Sequence, residues 1–173
     1  PGITVVPLDL LTAGGEGEQN IPIVASEIWD PSTGLWTDTG PLNEARDLTN
    51  AVLLPDGRVF VAGGRSEGLS LMDSAEIFDP ATNEWTLVAP MNERRMDNTV
   101  TALDDGRVLV TGGGKVDPPY SKTGEVYDTA TDTWTLAGEM TSSRTAHSAT
   151  KLPDGKVMVV GGRGKRLTTD VWD

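Results

Sequence analysis

A period of 49 residues runs through the chain. Gly-Gly pairs stand at Gly14-Gly15, Gly63-Gly64, Gly112-Gly113 and Gly161-Gly162, each 49 residues after the last. Trp36, Trp85 and Trp134 keep the interval, as do Arg46, Arg95 and Arg144, and Glu27, Glu76 and Glu125. A fixed period of this size means stacked supersecondary units rather than one irregular globule. It also changes how single residues are read, because a residue present in every unit is expected to build the unit.

Within one unit the pattern is that of short strands. Arg58 to Ala62 is an apolar, partly β-branched run held between Asp56-Gly57 and Gly63-Gly64, which predicts a buried strand between two turns. Ala75 to Asp79 reads as a second strand, Pro80 to Asn83 as a turn, and Trp85 to Val88 as a third strand. Asn98 to Leu103 alternates and reads as a fourth, before Asp104-Asp105-Gly106 turns into the next unit. The same order recurs from Arg107 to Leu152 and, less regularly, from Leu10 to Leu54. No 3.6-residue apolar period is present, which excludes helical solenoids. Four antiparallel strands per unit with one aromatic motif each describe a β-propeller blade, so the fold class is all-β. The units span about 9–54, 58–103 and 107–152, with a partial unit at 156–173 and an N-terminal strand at 3–7.

These residues resemble the kelch repeat, which is also found in the propeller of galactose-oxidase-like proteins. The resemblance rests on a Gly-Gly pair, an aromatic residue, and a Trp seven residues later. Gly63-Gly64 is followed by Phe78 and Trp85, Gly112-Gly113 by Tyr127 and Trp134, and Gly14-Gly15 by Trp29 and Trp36. Arg144 to Ser148, ahead of Asp154-Gly155-Lys156-Val157, is similar to the kelch lead-in to a first strand. The resemblance covers nearly the whole chain and implies three and a half to four blades of a ring that usually holds six or seven. The last unit runs to Val171-Trp172-Asp173, and Ile3 to Val6 aligns with Val52 to Pro55. Open strands at a propeller edge invite pairing. Closure is therefore expected from a longer parent chain or from a homo-oligomer. A four-bladed ring completed by the N-terminal strand is the third option and the least favoured, because it curves each blade tightly and lacks one Trp. The opening Pro fits a processed chain or one cut from something longer.

Composition narrows the function classes. A net charge of −12 argues against a nucleic-acid or anionic-membrane surface. The apolar runs are strand-sized, so no membrane-spanning helix is expected. Cysteine is absent, so disulfides and thiolate metal sites are excluded and the compartment stays open. The regular period and the Asp-Gly-Arg/Lys-Val openings suggest a prokaryotic, secreted or cell-surface protein.

No residue set announces catalysis. Glu27, Glu76 and Glu125, with Asp170 in the last unit, recur and are expected to pair with backbone groups or with Arg46, Arg95 and Arg144. The tryptophans are expected to pack blades rather than stack on sugars. Gly112-Gly113-Gly114-Lys115 leads into Asp117-Pro118-Pro119 and so is not a phosphate loop. His147 is the one histidine, and it stands where the resembling family often places one. One His without Cys cannot build a His-rich zinc or copper site. The copper chemistry of the galactose-oxidase-like proteins, which needs two His and a Tyr cross-linked to Cys, therefore does not carry over. No cofactor or metal is expected.

Specific function is expected in the connections that do not recur, 16–26, 65–75, 114–124 and 163–169, which leave the same end of each unit and gather on one face. Candidate ligand-facing residues are Arg65, Met72, Lys115, Tyr120, Arg163, Lys165 and Arg166. The resemblance implies a non-enzymatic binding or scaffold module that recognises a protein or a glycan. The alternative is the propeller part of a secreted carbohydrate-active enzyme whose catalytic residues lie outside these 173 residues.

Overall fold

The computed structural model describes residues 10–114, 120–164 and 169–172. The expected strand at 3–7 lies outside them. Four antiparallel sheets follow one another along the described chain. The first holds Leu10–Ala13, Ser26–Asp30 and Leu35–Asp38. The second holds Asn50–Leu53, Val59–Ala62, Ala75–Asp79 and Glu84–Val88. The third holds Thr99–Ala102, Val108–Thr111, Thr123–Asp128 and Thr133–Glu139. The fourth holds Ser148–Lys151, Val157–Val160 and Thr169–Trp172. Each sheet is paired in chain order, and the four do not close into a barrel. No helix among the described residues is long and apolar enough to cross a membrane.

The sheets are phased one strand earlier than the sequence units. Thr99–Ala102 pairs with Val108–Thr111, from Thr99 opposite Thr111 to Ala102 opposite Val108, and so opens the third sheet instead of ending the second. The cause is the Asp-Gly turn. Leu103 N–H donates to the Arg107 carbonyl at 2.8 Å, and Gly106, at φ +87°, donates back to Leu103. That is a tight three-residue hairpin loop, and it forces the strands on either side into one sheet. Leu54 with Arg58 and Leu152 with Lys156 repeat the arrangement.

The core lies between sheets. Trp85 and Phe78 of the second sheet pack with Ile28 and Leu42 from the first sheet and the connection after it. Phe60 of the second sheet stacks on Tyr127 of the third, ring centres 5.1 Å apart. Leu109 and Val126 of the third sheet pack with Val157 and Val159 of the fourth. Each blade therefore buries its apolar face only by having a neighbour. The opening strands of the second, third and fourth sheets run side by side. Just ahead of them, Ala146 N–H donates to the Asp97 carbonyl at 3.0 Å, and Asp97 N–H to the Leu48 carbonyl at 2.8 Å. All three residues hold left-handed backbone, at φ about +50°, a conformation that costs non-glycine residues energy and that this stair of hydrogen bonds sustains.

Candidate functional site

The recurring polar residues form a clasp between neighbouring blades. Arg46 follows the first sheet, and its backbone stays there: its N–H donates to Ile23 and its carbonyl accepts from Gly15 N–H at 2.8 Å. Its side chain crosses to the second sheet, donating to the Gly63 carbonyl at 2.8 Å and to Glu76 Oε1 at 2.8 Å. Arg95 does the same one unit on, with Gly64 on its carbonyl and Gly112 and Glu125 under its guanidinium at 2.7 and 3.0 Å. Arg144 reaches the Gly161 carbonyl at 2.9 Å and pairs with Asp170. This geometry explains the glycine pairs. A Cβ on Gly63, at φ +73°, would stand 2.6 Å from the Arg95 carbonyl oxygen, and one on Gly64 would stand 2.6 Å from that of Asp47.

The carboxylates are fully employed. Glu76 accepts from Asn43 N–H and Nδ2 at 2.8 and 2.9 Å and from Glu44 N–H at 3.2 Å, besides Arg46. Glu125 accepts the equivalent bonds from Asn92 and Glu93. Both are wholly buried, and charge is tolerated there because it is paired and hydrogen-bonded on every side. Asp170 accepts from Thr141 N–H. Burial pushes its carboxyl upward, but the Thr141 hydrogen bonds and Arg144 outweigh that and hold it below the ordinary carboxylate range. The expected pairing with Arg46, Arg95 and Arg144 is what the structure contains for Glu76, Glu125 and Asp170; Glu27 departs from it, being exposed, and among the described residues no arginine reaches it. Asn43-Glu44 and Asn92-Glu93 complete the clasp; they too stand 49 apart, a signal the sequence carried.

His147 belongs to the interior as well. Thr49, Asn98 and His147 occupy one repeat position. Thr49 Oγ1 and Asn98 Nδ2 both donate to the Ala62 carbonyl, at 3.0 and 3.2 Å. His147 Nε2 lies 3.1 Å from Thr111 Oγ1 and 3.3 Å from Thr99 Oγ1. Burial, helped by the charge of Arg144, lowers its pKa to about 4, so the ring is neutral at pH 7. Among the described residues no three His, Asp or Glu side chains gather as a metal site.

The connections are left as the place for recognition. Arg65 is held by Asp47, with Nε to Oδ1 at 3.0 Å, and by Glu16 at 3.2 Å. These acids, Asp47 first, raise its pKa. Its guanidinium is therefore committed, and Glu16, one period earlier, is one of the groups that commits it. Met72 is buried, and its backbone bridges to Arg95. Tyr120 is half-buried beside Gly114. Arg163 is exposed in a two-residue strand that pairs with Arg144–Thr145. Nearby, Asp97 is raised above the ordinary carboxylate range, burial outweighing the attraction of Arg163 and Arg65. Lys115, Lys165 and Arg166 lie outside the described residues. The structure thus brings Arg65 and Arg163 around Asp97 but sets Met72 against another feature, an open groove of about 450 Å³. Glu44 and Ala45 form one wall of it, residues 66–67 and 70–74 the other, and Arg94 one end. Glu44, Glu67, Asp73 and Arg94 were not singled out from the sequence, because the groove forms only where connections of adjacent units meet.

Sheets stacked through a repeated arginine–carboxylate clasp, with aromatic residues packed between them, define a repeat protein of propeller blades. The Kelch motif matches residues 50–92 and 97–141. The chain belongs to the kelch-repeat family. A comparison with curated proteins returned no match.

Proposed function

We propose that this chain is a binding or scaffold module that takes a protein segment in the groove between the 66–74 connection and the Glu44-Ala45 loop. Kelch motifs suggest a protein-binding role, and Glu76, Glu125 and Asp170 with Arg46, Arg95 and Arg144 are consumed by blade stacking. The observation that carries the reading is the groove's lining. Glu44, Glu67 and Asp73 surround Leu71 and Met72, and the one cation of the lining, Arg94, is already paired with Asp73 at 3.3 Å. A site acidic at its rim and apolar at its floor fits a peptide that carries lysine or arginine next to a bulky apolar residue.

The test is an array of short peptides probed with the protein and with the Glu67→Lys, Asp73→Lys double variant. Basic–apolar peptides are expected to bind the parent and to lose at least tenfold in affinity with the variant, at unchanged melting temperature. Equal binding by both proteins would remove the groove from consideration.

A further inference from the structure

Left-handed backbone in this chain falls on glycine, on Asn, Asp or Gln, or on the hydrogen-bonded stair of Leu48, Asp97 and Ala146; Leu69 is the exception among the described residues. Its position has a direct counterpart. Gln19 and Asn20 hold the tip of the 16–26 connection at φ +60° and +61°, and Gly68 and Leu69 hold the same two places one period later at +74° and +64°. Glu18-Gln19-Asn20 and Glu67-Gly68-Leu69 thus share one backbone turn. Asparagine and glycine tolerate that conformation. Leucine has a Cβ and no polar group to bond locally, so it is disfavoured there. Nor does burial reward it: Leu69 is 61% exposed and joins none of the core clusters. A strained, exposed apolar residue has replaced a residue suited to the turn, and nothing inside the fold accounts for the exchange.

The groove gives it a setting. Ser70, the chain neighbour of Leu69, lines the groove wall, as do Glu67 before it and Leu71 and Met72 after it. Leu69 therefore lies one residue beyond the wall, next to the acid that meets a ligand cation in the reading given above. We infer, resting on that reading, that Leu69 determines which segments the groove accepts: the segment carries a second apolar residue, outside its basic–apolar pair, that covers Leu69. Covering it removes apolar surface from water, a gain that asparagine in its place would forgo. Charge complementarity orients the segment, with its cation against Glu67 and Asp73 and its apolar residues against the floor and the tip. The first connection, with Asn20 at its tip, offers no such contact.

The probes are short synthetic peptides with one Lys-Phe pair in a Gly/Ser background, and a second Phe scanned through each position on either side of the pair. Affinities are measured for the parent, for Leu69→Asn, and for the Glu67→Lys, Asp73→Lys double variant. At one position the second Phe is expected to raise the parent's affinity about tenfold. Leu69→Asn is expected to lose that gain, to keep the parent's affinity for the peptide with one Phe, and to melt no lower than the parent, since asparagine suits the backbone. The double variant is expected to bind both peptides at least tenfold more weakly. A second Phe that gains nothing at any position, or a gain that Leu69→Asn keeps, overturns the inference and leaves the groove reading standing. Peptides that do not bind, or that bind the parent and the double variant alike, remove the groove and the inference together. A Leu69→Asn that melts lower than the parent would assign Leu69 to the fold and overturn the inference. A parent that dimerises in light scattering, and is monomeric with Leu69→Asn, would give Leu69 to a second copy and overturn the assignment to a partner segment.

Discussion

The second and third sheets pack their aromatic residues against a neighbouring sheet, whereas the first, made from the same repeat, leaves one largely exposed. Phe78 and Trp85 lie with ring centres 5.3 Å apart, and Tyr127 and Trp134 with centres 5.0 Å apart. Trp85 packs on residues of the first sheet, and Trp134 donates its Nε1–H to the Ala89 carbonyl at 2.6 Å, back across to the end of the second sheet. Trp36 is the same residue in the same register, yet nearly half of it faces solvent. The difference lies in the neighbour. In a stacked array a side chain's stabilisation resides in the interface it meets as well as in its own unit, so identical motifs carry unequal energies along one chain.

The clasp tests that inequality most strongly. Glu125→Ala leaves the buried Arg95 only the exposed Glu93, 3.2 Å away, a loss expected to cost about 3–5 kcal/mol. Glu27→Ala in the same chain is expected to cost less than about 0.5 kcal/mol, as for an exposed surface position. Urea unfolding of the two variants measures the gap. Equal costs would break the comparison, because they would mean that the stacked clasp adds nothing to a carboxylate at this position.

The tryptophans come next. Truncating Trp85 to Ala removes a large buried side chain and is expected to destabilise by about 3–5 kcal/mol. Trp36→Ala, with half the ring already hydrated, is expected to cost about 1 kcal/mol. The Trp85 variant should also loosen the junction between the first and second sheets, read as faster hydrogen exchange at Ile28 and Val61, whereas the Trp36 variant should leave those amides unchanged.

Much of this was legible in the sequence. The 49-residue period marked the strands, and the recurrence of Arg46, Arg95, Glu76 and Glu125 marked them as structural. The phase of the sheets was less legible. Four strands per unit can be cut on either side of the Asp-Gly turn, and only the hairpin bonds of Leu103 with Arg107 decide that Thr99–Ala102 opens the following sheet. The candidate site was the least legible part. Arg65 reads as an open cation until stacking brings Glu16 and Asp47 to it, and the groove beside Met72 has walls from two different connections. Such features depend on how far one blade turns against the next, which no local pattern records.

Glycine separates backbone strain from contact with the next blade. Gly63 and Gly161 share φ near +73°, but a Cβ on Gly63 would strike the Arg95 carbonyl at 2.6 Å, while one on Gly161 meets nothing within 4 Å among the described residues. Gly161→Ala therefore carries the conformational cost alone, about 1 kcal/mol. Gly63→Ala adds the clash with a backbone held by its own clasp and is expected to cost about 2–3 kcal/mol. Paired thermal melts decide it, and equal shifts would mean that the second sheet is no more tightly backed than the fourth.

A last comparison concerns pH and sets side by side two junctions that place different residues at one position, Asn98 in one and His147 in the other. Unfolded, His147 titrates near the usual 6.5; folded, it holds out to about 4, because burial, helped by Arg144, disfavours the imidazolium. Between these values the unfolded chain binds a proton that the folded chain refuses, so stability falls as pH drops from about 7 towards 4 and the histidine's share of the fall ends below that. A fall from 6.5 to about 4 corresponds to a share of about 3 kcal/mol. Asp170, held below its usual range by Thr141 and Arg144 against the pull of burial, adds a loss of its own at lower pH. His147→Asn copies the residue already used at the preceding junction and removes only the histidine term. Its urea midpoint should therefore change less than the parent's between pH 7 and pH 4.5, and the two proteins should respond alike below pH 4. Parallel curves across the whole range would place His147 in contact with water and assign the acid loss at this junction to Asp170.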